Sequence, residues 1–262
     1  MNVASKMKPT QSTRRPRVTS ARMVAEPAEA IPARATKPDA GAAPLPLVGA
    51  LLLAAAALVL LVSVEARAET PLIDFSFFAR GRFVMGVAIG SLSMFSIMGL
   101  LLYFNLYAQS REGLGLTAGA SLLPLSAALL ALAILASAVA ARLGLRNALT
   151  VGMALITIAS AVIGAAVAEG SLMLLSIGFL VMGAGLAVPY ASAPRLALSA
   201  LSPAQTGQGS GIVNACTFLG GSVGVAGGAI ASALGGFGAV LTMIALAGII
   251  GATLSRRIPK TG

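Results

Sequence analysis

Seven apolar runs, each close to twenty residues, divide this 262-residue chain at 45–64, 83–108, 117–141, 147–168, 171–193, 209–233 and 237–255. A helix rises about 1.5 Å per residue, so each run is long enough to cross the ~30 Å of hydrocarbon in a bilayer. Lipid offers no partner to an unpaired N–H or C=O, so runs of this length must be helices. Their Leu, Ala, Gly and Met content agrees, and no strand-like alternation interrupts them. The expected fold class is all-α: a polytopic membrane helix bundle of about seven transmembrane helices. Composition points the same way. Charged residues make up 10% of the chain and hydrophobic ones 57%, with a mean hydropathy of +0.93; a soluble domain carries about a quarter charged residues. The first partner of such a chain is the lipid bilayer.

The charged residues sort by position. Residues 1–43 carry eight of the 18 basic side chains, scattered Pro and no apolar period, which predicts a disordered basic tail. Residues 44–82 read as a linker transmembrane helix followed by a cytoplasmic amphipathic connector, 83–255 as a six-helix unit, and 256–262 as a basic C-terminus. With the C-terminus inside, Arg67, Arg80, Arg82, Arg142, Arg146, Arg195, Arg256, Arg257 and Lys260 all face the cytoplasm and, of the basic residues after the first span, only Arg111 lies outside. Seven spans then leave the basic tail outside, where only Arg34 and Lys37 lie close to a span, and the loops outvote it. That asymmetry follows the positive-inside rule and predicts a multi-pass protein of the inner (plasma) membrane with a cytoplasmic C-terminus. The net charge of +10 is thus charge in the tail and in the loops that flank the spans. The chain has no Trp and only three Tyr to interleave with its basic residues, so no nucleic-acid partner is expected.

With one Cys and no His, the chain offers no disulfide framework, no His/Cys metal site and no Cys–His or Ser–His dyad. No enzyme, catalytic residue, metal or cofactor is expected. The eight acidic residues, Glu26, Glu29, Asp39, Glu65, Glu69, Asp74, Glu112 and Glu169, all fall in the tail or the loops. Polar groups near or within the spans are the candidates for a substrate cavity: Asn105, Tyr107 and Gln109 ending the second run, Tyr190 ending the fifth, and Asn214 and Thr217 in the sixth. Gly207, Gly211, Gly220, Gly221, Gly224 and Gly228 recur at helical steps around them and predict close packing against another helix. Pro189 and Pro194 predict a break near the end of the fifth run.

Several stretches follow one another in a recognisable order: PLIDFSFFARGRF at 71–83, LLLYFNLYAQS at 100–110, GLTAGASLLPLSAALL at 115–130, ARLGLRN at 141–147 and GAGLAVPYASAPRLALSALSPAQTGQGSGIVNACTFLGGSVG at 183–224. Together they resemble the C-terminal half of a major facilitator superfamily transporter, in particular the fourteen-span drug:proton antiporter branch that includes multidrug efflux pumps. The resemblance implies that 45–64 is a linker helix inserted between two halves and that 83–255 is the six-helix C-terminal half. It implies efflux of a small amphipathic substrate by proton antiport, with the missing N-terminal half or a second copy as partner, and little activity for this chain alone. A non-transporting membrane interaction protein and a homodimerising half-transporter are the alternatives. The family's G-x-x-x-D-R-x-G-x-R gating loop is matched by Arg142, Gly144 and Arg146, but Ser137 replaces its Gly and Ala141 its Asp. The carboxylate of the usual gating ion pair is therefore absent. The N-x-x-R-Q-x-G-G pattern is matched by Asn214, Gly220 and Gly221, with Thr217 and Phe218 in place of Arg and Gln.

Overall fold

The computed structural model describes residues 75–110 and 119–258. Ala56 and Leu60, both helical and exposed, are described in addition, from a separate unit that ends at Val64. The expected tail, the 45–64 span and most of the connector lie otherwise outside the described residues. Among those described there are only helices. A short 3-10 helix at Phe75–Ala79 leads into α1 (Gly81–Gln109), α2 (Leu123–Leu143), α3 (Leu145–Glu169) and α4 (Leu172–Leu198); after a 3-10 turn at Pro203–Gln205 comes α5 (Thr206–Arg256). The six expected runs from 83 onward are found as helical spans, with ends that differ by up to about six residues; the 45–64 run lies outside the described residues.

The last two runs are joined differently from the expectation of two helices and a loop. α5 is continuous except at Gly235 (φ −157°, ψ 25°) and Gly236 (φ 63°, ψ −155°). At Gly236 the backbone takes a positive φ that a side chain would resist, so the break needs glycine there. That two-residue break reverses the chain. A Cβ built on Gly227 would stand 3.2 Å from Sδ of Met243, and one on Gly99 would reach both the Gly224 carbonyl and Ile244 Cδ1. In an unbroken helix Gly227 and Met243 would lie about 24 Å apart. α5 is therefore a hairpin, with arms 206–234 and 237–256.

Close glycine contacts fix how the spans run. On α1 and the first arm, Gly90 faces Thr217, Ser91 faces Gly220, Phe95 faces Gly224 and Tyr103 faces Gly228. Both numbers rise together, so these helices are parallel. Gly152 meets Gly185 and Pro189, while Ile163 meets Gly178, so α3 and α4 are antiparallel. Gly86 against Ala193 and Ala197 makes α1 antiparallel to α4, and Thr157 against Gly248, with Gly164 against Leu241, makes α3 antiparallel to the second arm. Six spans alternating in direction satisfy every pair.

Alternation collects the charges. One end of the bundle holds Arg80, Arg82, Arg142, Arg146, Arg195, Arg256 and Arg257; at the other, among the described residues, the only formal charge is Glu169.

α1 is buried along its middle and exposed mainly at its ends, whereas α2 is exposed along most of its length. The core between α1, α3, α4 and the second arm is filled by Leu100, Phe104, Met153, Ile156, Ile163, Phe179, Met182, Val240 and Ile244, among others. Buried hydroxyls mostly turn back on their own helices: Ser93 donates to the Ile89 carbonyl at 2.8 Å, Ser96 to Leu92 at 2.8 Å and Ser160 to Ile156 at 2.9 Å. Such i−4 bonds leave the helix surface apolar. Among the described residues no buried side-chain N or O lacks a partner.

Pro189 and Pro194 do not break α4. It runs through both to Leu198. A proline removes the N–H that would bond the carbonyl four residues back, here that of Gly185. That carbonyl lies against α3, where a Cβ on Gly152 would come within 2.8 Å of its oxygen and 2.6 Å of Pro189 Cδ. The ring of Pro189 is buried on a glycine that makes room for it. The helix is held by its neighbour where its own ladder is interrupted.

Candidate functional site

The six cavity candidates divide between faces. Asn105 and Tyr107 are two residues apart on one helix, which turns them about 200° from each other. Asn105 and Gln109 are exposed and share a hydrogen bond in which Gln109 Nε2 donates to Asn105 Oδ1 at 3.4 Å. Tyr107 is half-buried and points into the bundle, stacked on Phe237 with centroids 5.1 Å apart and rings 18° from parallel. Tyr190 and Asn214 are exposed on α4 and α5. Thr217 serves packing: its hydroxyl donates to the Val213 carbonyl at 2.7 Å, and it sits 3.3 Å from a Cβ built on Gly90.

The glycine ladder also divides. Gly220 and Gly224 bring the first arm onto the α1 backbone at Ser91 and Phe95, Gly221 rests on Met94 and Met98, and Gly228 receives the Tyr103 ring. A Cβ on Gly220 would stand 2.5 Å from the Ser91 carbonyl oxygen. Two hydrogen bonds cross the same seam. Ser91 Oγ donates to the Cys216 carbonyl and Tyr103 Oη to the Val225 carbonyl, both at 2.9 Å. Gly207 and Gly211, by contrast, are exposed with nothing within 4 Å of a built Cβ; they take no part in this contact, contrary to expectation. Gly209, which the spacing did not single out, is buried against Leu198 and Leu201.

At the arginine-bearing end, Arg142 is exposed in the last turn of α2, Gly144 (φ 77°) separates α2 from α3, and Arg146 is half-buried in the first turn of α3. Gly144 has open space around it, so its glycine answers to backbone conformation. Nearby, and not anticipated, Arg80 donates from Nη1 to the Ala200 carbonyl at 2.6 Å while its guanidinium lies 5.7 Å over the Phe77 ring. Phe77 and Phe83 are fully buried, packed edge to face at 5.6 Å, in a cluster with Val87, Ala197, Ile212 and Val213. The start of α1, the end of α4 and the start of α5 are clamped together there.

At the opposite end two clefts flank Tyr107. One, of about 220 Å³, is lined by Phe104, Tyr107, Ala166, Val167, Leu172 and Leu175, among others. The other, of about 320 Å³, is lined by Tyr103, Leu106, Tyr107, Ser232, Gly236 and Phe237, among others. Phe104, in the wall of the first cleft, lies 4.7 Å edge-on to Phe179 and 6.0 Å from Phe237. Of the six cavity candidates, only Tyr107 lines either cleft. Phe237 carried no polar mark that sequence reasoning could have used.

No curated protein matches the chain. Residues 40–225 match the family model of the Major Facilitator Superfamily, more than half of the sequence and all of α1 to α4. With its alternating apolar helices, the chain is thus a multi-pass membrane protein, and it belongs to the major facilitator superfamily of membrane transporters.

Proposed function

We propose that this chain is the C-terminal six-helix half of an efflux transporter of the drug:proton antiporter branch, moving small amphipathic compounds outward across the inner membrane. The observation that carries the reading is the family match together with separate exposed polar side chains, Asn105 and Gln109 at the end of α1, Tyr190 on α4 and Asn214 on α5, on helices otherwise packed by apolar and small groups. Polar side chains at membrane depth mark substrate pathways when they are not paired inside the bundle. The arginine-rich end is the cytoplasmic one in this reading. Proton coupling requires a titratable group within the membrane. Among the described residues the only carboxylate is that of Glu169, exposed at the end of α3, so the coupling group is contributed by a partner half.

The test is a proton-gradient-driven efflux assay in everted vesicles with a fluorescent amphipathic cation. The chain alone should insert and give no extrusion above background, and co-expression with an N-terminal half should restore it. Robust efflux from the chain alone would contradict the requirement for a partner. The exposed small residues Gly207, Gly211 and Ala215 on the first arm favour a homodimerising half as the second reading; native mass spectrometry showing only monomer, with efflux restored by an N-terminal half, excludes it.

A further inference from the structure

The seven arginines gathered at one end of the bundle have no carboxylate among the described residues to answer them, since Glu169 lies at the far end. Arg80 is engaged with the Ala200 carbonyl and the Phe77 ring. Of the others, Arg146, Arg256 and Arg257 converge where α3 begins and α5 ends. Met153 packs on Gly248 and Gly251, and Thr157 Oγ1 donates to the Ala245 carbonyl at 3.2 Å, so α3 and the second arm lie side by side. Arg146 stands about two turns before Met153 on the same face of α3, and Arg256 and Arg257 lie about two turns beyond Gly248 and Gly251. In an antiparallel pair those steps bring all three to one level on neighbouring helices. Arg146 is half-buried there, and Arg256 and Arg257 are exposed. Like charges drawn together repel unless an anion sits among them.

The side chains beneath them are apolar and face outward. Arg256 and Arg257 follow Ile249 and Ile250 by about two turns, so each heads the row of an isoleucine that is 48% or 51% exposed. Val151, on the adjoining α3, is exposed as well. We infer that this edge of the bundle holds an anionic phospholipid, its phosphate among Arg146, Arg256 and Arg257 and its acyl chains along the Ile249 and Ile250 rows. Charge above and apolar rows below match both parts of a lipid, whereas a free anion would use only the upper part. The planar guanidinium presents its donors in a fork that fits phosphate oxygens in pairs, and basic pockets between helix ends are suited to anionic head groups. Asn147, exposed beside Arg146, adds a neutral donor. The site requires a chain that spans a bilayer, and it stands whether or not that chain transports.

Native mass spectrometry of the purified full chain in detergent, titrated with phosphatidylglycerol, counts the lipids bound. The parent should bind one lipid more tightly than the rest, and phosphatidylcholine with the same acyl chains should bind about tenfold more weakly. Arg146→Gln combined with Arg256→Gln should weaken the tight step about twentyfold, at roughly fivefold for each arginine. Arg82→Gln combined with Arg195→Gln removes the same charge from α1 and α4 at the same end. It should leave the affinity within about twofold, because charges beyond the Debye length are screened. The basic residues of 1–43 are present throughout and cancel in the comparison. Equal weakening by the two pairs would mean unlocalised attraction to charge and would overturn the inference. So would phosphatidylcholine binding as tightly, the absence of any tighter step, or displacement of the lipid by inorganic phosphate at equal concentration. Should the first pair fail to fold, Arg256→Gln alone, at an exposed position, should weaken binding about fivefold, and an unchanged affinity there overturns the site as well.

Discussion

At the scale of single residues, glycine does two opposed things in this chain, and magnitudes decide which dominates. In a helix interior, replacing Gly by Ala gains roughly 0.5–1 kcal/mol of conformational free energy. Forcing a methyl into a packed seam costs typically 1–3 kcal/mol. At Gly211 a Cβ meets nothing, so Gly211→Ala should stabilise slightly; at Gly224 it lands on the Phe95 backbone, which cannot rotate away, so Gly224→Ala should destabilise by about 1–2 kcal/mol. Thermal unfolding in one detergent compares them, and equal shifts would mean that the first arm is not seated on α1. The sequence showed the ladder but overstated its width. Counting about 100° per residue from Gly224, Thr217, Gly220 and Gly228 stay within about 40°, whereas Asn214, Gly207 and Gly211 fall about 80–140° round the helix. Steps of three and four look alike in a string and drift apart on a cylinder. Arg80 was legible only as an orienting charge. Its bond to the Ala200 carbonyl, a charge-assisted one, joins residues 120 apart, which no local pattern could signal. Arg80→Ala should cost about 1–2 kcal/mol, with Arg80→Lys intermediate because lysine keeps a donor and loses the planar fork; limited proteolysis at 199–205 should report the loosened clamp.

At the scale of elements, the spans were legible because lipid leaves the backbone so few options, and their junctions were not. The sequence separates 209–233 from 237–255 only by the "LGG" of Leu234 to Gly236, and the structure turns the chain there with two glycines and no loop. In water, a break this short would leave helix-end carbonyls and amides competing with solvent; at a bundle end the polar groups of a tight turn meet the interface. Gly236→Ala forces a methyl into φ 63°, ψ −155°, a region costing of order 1–3 kcal/mol for a residue with a side chain. The hairpin itself is checked by proximity. In a Cys216→Ala background, cysteines placed at Gly227 and Met243 should cross-link rapidly with a short bifunctional reagent, because the two positions are in contact across the arms. Failure to cross-link, with each single cysteine reactive, would mean that α5 continues straight. The prolines of α4 carry the complementary lesson. Pro189 reads as a helix breaker by propensity, yet its partner Gly152 lies on another helix, and tertiary contact overrides the local rule.

For the molecule as a whole, the decisive quantity is which end of the bundle faces the cytoplasm, since the direction of transport and the side from which either cleft opens both follow from it. Charge separates the two ends: seven arginines at one, Glu169 at the other among the described residues. Translocation strongly disfavours basic residues in short loops and is nearly indifferent to acidic ones, so the sorting of arginines carries the orientation and Glu169 adds little. In the proposed orientation Ala141, on the exposed last turn of α2, lies inside the cell and Met173, on the exposed first turn of α4, outside. With Cys216 replaced by Ala, a membrane-impermeant maleimide applied to intact cells should label a Met173→Cys variant and spare Ala141→Cys. Everted vesicles should reverse the pattern. Labelling of Ala141→Cys from outside would invert the whole arrangement, placing the Arg80 clamp at the outer surface and the Tyr107 clefts at the cytoplasmic one. Equal labelling of both positions in intact cells would point to dual insertion, in which the arginine asymmetry no longer sets the direction in which a substrate can move.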